Sequence, residues 1–211
     1  MLFLLQNLEL YTMQSDEIRI KNRIYGKGRG WCFTPKHFSD LAKDGSIRIA
    51  LVRLEKEGLI RRITRGIYYY PKEHEQLGVL PPKAEDIASA LAYRDKIEVQ
   101  PSGAYAANLL GLSEQVPARI VFLTDGKSKK IKMANMEIVF TKTTPKNMSV
   151  AKTITGLIIQ ALRYIKKENV TDDMINKIKN KLSVSDQKIL RSNYTVAPTW
   201  IARIIKEKLL G

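Results

Sequence analysis

Cysteine occurs once, as Cys32, and histidine twice, as His37 and His74. One cysteine excludes an internal disulfide, and so few soft ligands argue against a structural zinc site of the Cys/His type. Long apolar runs are also missing. No segment approaches the roughly 20 consecutive apolar residues that a membrane-spanning helix needs. The apolar start "MLFLLQNLEL" is short and lacks the basic region and small-residue cleavage site of a signal peptide. Residues 1–12 are consistent with a leader ahead of Met13 or with a short docking segment. There is no internal repeat and no low-complexity tract. Acidic residues are scarce: 21 Asp and Glu face 36 Lys and Arg, for a net charge of +15 and a pI of about 9.8. That balance is the footprint of a nucleic-acid binder or, less often, of a membrane-surface protein, with generic lysine richness as the plain alternative. With 44% hydrophobic residues among 211, the chain has enough apolar mass for one large or two small domains. A reducing cytoplasm suits this composition.

The first half reads as a compact basic module. Ser15, followed by Asp16 and Glu17, is a plausible N-cap for a helix running to about Tyr25. "GKGRG" (26–30) ends it. This is no P-loop, because it follows a helix and lacks the Lys-Ser/Thr ending. "WCF" (31–33) reads as a short strand. Thr34 then caps a helix, "PKHFSDLA", with Pro35 at its first position. Gly45 breaks the chain, and Ser46 caps a helix over 46–57. Ile47, Ala50, Leu51 and Leu54 form its buried stripe, while Arg48, Ile49, Val52, Arg53 and Lys56 lie opposite. "LIRRI" and "IYYY" flank Thr64-Arg65-Gly66, a hairpin tip. Helix, short strand, helix, helix, hairpin is the order of a winged helix-turn-helix, in which the last helix enters the major groove. On the second strand Tyr68 and Tyr70 share a face opposite Tyr69, and core packing is the favoured role for Tyr68 and Tyr70. Residues 15–72 hold 14 Lys/Arg and 6 Asp/Glu, more than twice the net charge per residue of the remainder.

Residues 73–83, with two of the prolines of "PKEHEQLGVLPPK" (71–83), read as a linker. Residues 84–211 read as a second, mixed domain: a small sheet followed by a helical C-terminal region. Its elements are a helix in "AEDIASALAYRD", a strand in "KIEVQP", a small-residue helix closed by Gly111 and a buried strand in "ARIVFLTDG". A hairpin turning near Ala134-Asn135, a long helix over 148–167, a helix starting at Thr171-Asp172-Asp173 and a last helix from Pro198 complete it. The last helix is expected to bury Trp200, Ile201, Ile204, Ile205 and Leu209. The fold class is α+β.

Catalytic signals are weak. Asp95 with Glu98-Val99-Gln100 loosely matches a nuclease carboxylate pair, but Gln100 stands where such sites use lysine. Asp172-Asp173 reads as a helix start complementing the dipole. Ser102 reads as an N-cap, since it lacks the G-x-S-x-G elbow and no histidine follows it. No enzyme, metal or cofactor is expected.

"GRGWCFTPKHFSDL", "ALVRLEKEGLIRRITRGIYYYPK", "PSGAYAANLLGLSEQVPARIVFLTDG" and "IQALR" together resemble the AbiEi family of type IV toxin–antitoxin antitoxins and related transcriptional regulators, over roughly residues 15 to 205. The resemblance implies an N-terminal domain that binds operator DNA and represses its own operon. It also implies a C-terminal domain that counteracts a nucleotidyltransferase toxin encoded nearby. Arg48, Arg61, Arg62 and Arg65 would face the DNA. The full set of DNA-binding candidates is Arg29, Lys36, Ser46, Arg48, Ile49, Arg53, Arg61, Arg62 and Arg65. The partners implied are double-stranded DNA carrying an inverted repeat and a cognate toxin. An orphan winged-helix regulator is the alternative, and a DNA-targeted nuclease a third.

Overall fold

The structure, a computed structural model, describes residues 2–115, 117–133 and 136–211, with side chains from residue 15 onward. The chain divides into two compact units, 1–95 and 96–211.

The first unit opens with α1 (Leu2–Lys27). Ser15 therefore lies inside a helix and is not its N-cap. No glycine or proline interrupts 2–25, so a cap-like residue there permits a start without forcing one. Gly28, at φ 84°, ends the helix. The segment expected as a helix after Thr34 is a single 3-10 turn, Pro35–Phe38. Two contacts explain this. His37 Nδ1 accepts the Thr34 N–H at 3.1 Å, and the His37 carbonyl accepts from Arg23 Nη1 at 2.7 Å. That carbonyl is thus taken by a side chain.

Helix α2 (Asp44–Lys56) starts two residues earlier than expected. Lys43 occupies the N-cap position without a side-chain cap, so Ser46 sits in the first turn and Gly45 does not break the chain. Its buried residues are the expected Ile47, Ala50, Leu51 and Leu54. They pack with Ile20 and Ile24 of α1, Phe33, Phe38, Ile60, Tyr68 and Tyr70. Gly58, at φ 77°, allows the reversal into the sheet.

Strands β1 (Cys32–Phe33), β2 (Arg61–Thr64) and β3 (Ile67–Tyr69) form an antiparallel sheet in the order β1-β3-β2. Cys32 pairs with Tyr69 and Phe33 with Tyr68, while Thr64 pairs with Ile67 across the Arg65-Gly66 tip. Tyr68, Tyr69 and Tyr70 are all buried. Tyr68 and Tyr70 join the core under α1 and α2. The other face of β1 and β3 is met by α3 (Ala84–Asp95).

The chain after β3 adds further elements to the first unit. The segment 73–83, read as a linker, carries part of a hairpin, β4 (Lys72–His74) with β5 (Gly78–Leu80). Helix α3, read as the start of the second domain, belongs to the first unit. The two compact units meet in the chain between Asp95 and Lys96, whereas the sequence reading divides the chain into 15–72, 73–83 and 84–211; β1 and β3 are buried, while β2 is exposed to half-buried.

The second unit holds β6 (Val99–Ser102), α4 (Gly103–Leu109), β7 (Arg119–Thr124), β8 (Lys129–Met133) and β9 (Met136–Lys142). The sheet order is β6-β7-β9-β8, with β7 and β9 parallel. Strands β8 and β9 pair as the expected hairpin; its turn at Ala134-Asn135 lies outside the described residues. The long helix expected over 148–167 is divided into α5 (Pro145–Met148) and α6 (Ile154–Ile165). Lys152 has φ 61°, and Thr153 Oγ1 accepts the Gly156 N–H at 3.2 Å, so an N-cap interrupts the apolar pattern. Helix α7 (Asp172–Lys181) is capped by Thr171 as expected. Helix α8 (Val184–Asn193) has no counterpart in the sequence reading; Ser183 and Asp186 form its capping box. Helix α9 (Thr199–Ile204) runs into a π turn over Ile205–Leu209. Ile201, Ile205 and Leu209 are buried there, whereas Trp200 and Ile204 are only partly buried. The chain is thus a mixed α+β protein with small sheets. Among the described residues no helix is long and apolar enough to cross a membrane.

Candidate nucleic-acid interface

Burying Ile47, Ala50, Leu51 and Leu54 fixes the roll of α2. It leaves Gly45, Ile49, Val52 and Lys56, at i, i+4, i+7 and i+11, facing away from the core. Arg48 flanks this stripe. Ile49 is 44% and Val52 39% exposed. The exposed Arg48 side chain has no hydrogen-bond or ion-pair partner among the described residues.

The β2–β3 hairpin is held beside this helix. Arg62 Nη2 donates to Glu55 Oε2 at 2.8 Å, and its guanidinium lies 5.2 Å from the Tyr68 ring centre. At the tip, Arg94 Nη1 of α3 donates to the Arg65 carbonyl at 2.6 Å, while Arg94 also grips Asp95. The side chains of Arg61 and Arg65 are exposed with no ion-pair partner among the described residues.

The sequence-selected cations thus fall into two groups. Arg48, Arg61 and Arg65 have no side-chain partner among the described residues. The others are engaged within the fold. Arg29 donates to the Pro71 carbonyl at 2.8 Å, lies over the Tyr70 ring and approaches Glu73 at 3.6 Å. Lys36 Nζ donates to the Arg94 carbonyl at 2.5 Å. Arg53 pairs with Glu17 of α1 at 3.3 Å. Exposed pairs of this kind are worth about 0–1 kcal/mol, so Arg53 and Arg62 remain exchangeable whereas Arg29 is bound by three contacts. Ser46 is half-buried in the first turn of α2 and Ile49 stands on its open face.

The sequence reading placed Val52 and Lys56 on the open face of α2 but left them out of the DNA-binding set, and it did not single out Lys43 or Arg94. Lys43 lies just before the helix start that was misplaced by two residues. Val52 and Lys56 were legible on the helix face. Nothing in the sequence pointed to Arg94, whose role depends on α3 packing back on the hairpin.

Behind the sheet is a cavity of about 170 Å³ lined by Trp31, Cys32, His37, Asp86, Ser89 and Ala90. Burial, with Asp86 nearby, pushes the Cys32 thiol up to about 12. Burial lowers the pKa of His37, and the charges of Lys27 and Arg23 act in the same direction. The His37 ring lies 4.2 Å from that of Tyr93.

The residues considered for catalysis are occupied by other contacts. Asp95 pairs with Arg94 at 2.6 Å, and Glu98 with Lys152 at 2.6 Å. Asp172 pairs with Lys208 and Asp173 with Lys177. Ser102 takes the N-cap position of α4, but its Oγ donates to Gln160 Oε1 at 3.2 Å instead of accepting a cap bond. No cluster of three or more metal-ligating side chains occurs among the described residues.

No curated protein matches the chain. A model of one protein family matches residues 19–190, and by that match the chain belongs to the family of unknown function DUF6088.

Proposed function

We propose that the protein is a double-stranded-DNA-binding transcriptional regulator of the winged helix-turn-helix kind. Helix α2 is the recognition helix, and the β2–β3 hairpin is the wing. One observation carries this reading: Arg48 on α2 and Arg61 and Arg65 on the adjoining hairpin are exposed and without a side-chain partner among the described residues, while Arg29, Lys36, Arg53 and Arg62 are paired or bonded within the fold. In this reading Arg61 and Arg65 hold phosphates and set the register, and α2 contacts base edges. The expected ligand is an inverted repeat upstream of the protein's own gene. The test is a gel-shift titration of the full chain with that DNA against unrelated duplex. Tighter binding to the upstream fragment supports the reading, and equal binding to both reduces it to a non-specific cation effect.

Within the same proposal the protein serves as an antitoxin against a neighbouring nucleotidyltransferase, acting through the second unit, in the cytoplasm and without catalysis of its own. This part rests on the sequence resemblance to the AbiEi family. Co-expression with a nucleotidyltransferase encoded beside the gene tests it: restored growth supports an antitoxin, and unrelieved toxicity leaves an orphan regulator.

A further inference from the structure

We infer that the outward face of α2 reads thymine, with Ile49 and Val52 packing on the 5-methyl groups of neighbouring base pairs beside a base held by Arg48; this rests on the DNA-binding reading above. Neither aliphatic side chain serves the core, which α2 supplies from its opposite face. Neither favours the helix, because β-branched residues lose rotamer freedom there. The two β-branched side chains lie one turn apart on the same open face, beside Arg48.

The size and charge of the patch choose the ligand. A protein–protein interface of ordinary kind covers about 800 Å² on each partner and depletes charge at its centre. Two aliphatic side chains between Arg48 and Lys56 are too small and too cationic a patch for that. The major groove matches it, because thymine alone presents a methyl group there, amid a field of phosphate charge. Ile49 and Val52 are three residues apart, about 4.5 Å along the helix axis at about 1.5 Å per residue. Successive bases on one strand are about 3.4 Å apart, so the two side chains span neighbouring base pairs. Gly45 leaves the N-terminal end of the same stripe bare: a Cβ there would meet nothing within 4 Å.

Selection of a bound sequence from a randomised duplex pool by the full-length protein supplies the probe. Each thymine of the selected site is then replaced by deoxyuridine, which removes only the methyl. The expected result is a loss of about fourfold in affinity at one or two neighbouring thymines, the value of one buried methyl group. The penalty at one of them should vanish in Ile49→Ala, and at the other in Val52→Ala. If every replacement leaves the wild-type affinity unchanged, or the penalties persist in both variants, the methyl reading is overturned while DNA binding stands. If the pool yields no enriched sequence, both fall together.

Discussion

Arg94, in the last turn of α3, donates to the carbonyl of Arg65 at 2.6 Å and so ties the hairpin tip to a helix that follows it by about twenty residues in the chain. The Arg94 Cδ lies 3.6 Å from where a Cβ on Gly66 would stand. Helix α3 therefore positions the proposed wing as well as covering the sheet. Arg94→Ala should cost about 1 kcal/mol or less in stability, the value of a partly exposed charge-assisted bond. It should still speed amide exchange at Gly66 and Ile67 and weaken DNA binding several-fold. Exchange unchanged at those two amides would mean that the tip is rigid without Arg94.

Cys32 reports on the same packing. Its thiol is buried, with its pKa pushed up to about 12. At pH 8 it is protonated and out of reach, so a disulfide reagent should modify it only as fast as the first unit opens. Modification at the rate of a free thiol in the native protein would show that α3 does not cover β1.

His37 gives a pH dependence. Burial lowers its pKa below the ordinary 6.5, with help from Lys27 and Arg23, and its Nδ1 accepts the Thr34 N–H. The folded state thus favours the neutral ring. Its contribution to stability is fully present above pH 6.5 and is lost as pH falls through the lowered folded value. The contribution of Asp40, held down to about 2 by Arg23, is fully present above its ordinary 3.8 and is lost only below that pH. The urea midpoint should therefore fall between pH 7.5 and pH 5, and less so in His37→Gln. An equal fall in both proteins would assign the effect to other groups.

Gly45 separates fold from function. It is helical, its φ is not positive, and a Cβ would meet open space. Gly45→Ala should raise stability by about 0.5–1 kcal/mol, since glycine is a poor helix residue. The same methyl lies on the stripe proposed to face DNA and should weaken binding. A variant that is more stable and binds equally well would remove the first turn of α2 from the interface.

Much of the first unit was legible because its signals are local. The period of Ile47, Ala50, Leu51 and Leu54 gave α2 its buried side, and Thr64-Arg65-Gly66 gave the hairpin. The start of α1 was not legible, because Ser15 looks the same at a cap and inside a helix. The place of α3 was not legible either. "AEDIASALAYRD" announces an amphipathic helix but not which sheet it covers, and that depends on Cys32 and Tyr69 facing away from the first core. The same long-range dependence hid Arg94. Of the site residues, Arg48 and Ile49 followed from helix period alone. The engagement of Arg29, Lys36, Arg53 and Arg62 depends on Pro71, Arg94, Glu17 and Glu55, partners that no local pattern names.

The most direct measurement is the salt dependence of binding by the full chain to its upstream DNA, compared with an Arg48→Ala/Arg61→Ala/Arg65→Ala variant of unchanged thermal stability. Each phosphate contact contributes about 0.9 to the slope of log K against log salt concentration. The account predicts weaker binding and a slope shallower by about 0.9 for every one of these arginines that holds a phosphate. Identical affinity and slope in the folded variant would contradict it, and these arginines of α2 and the hairpin would then be plain surface charge.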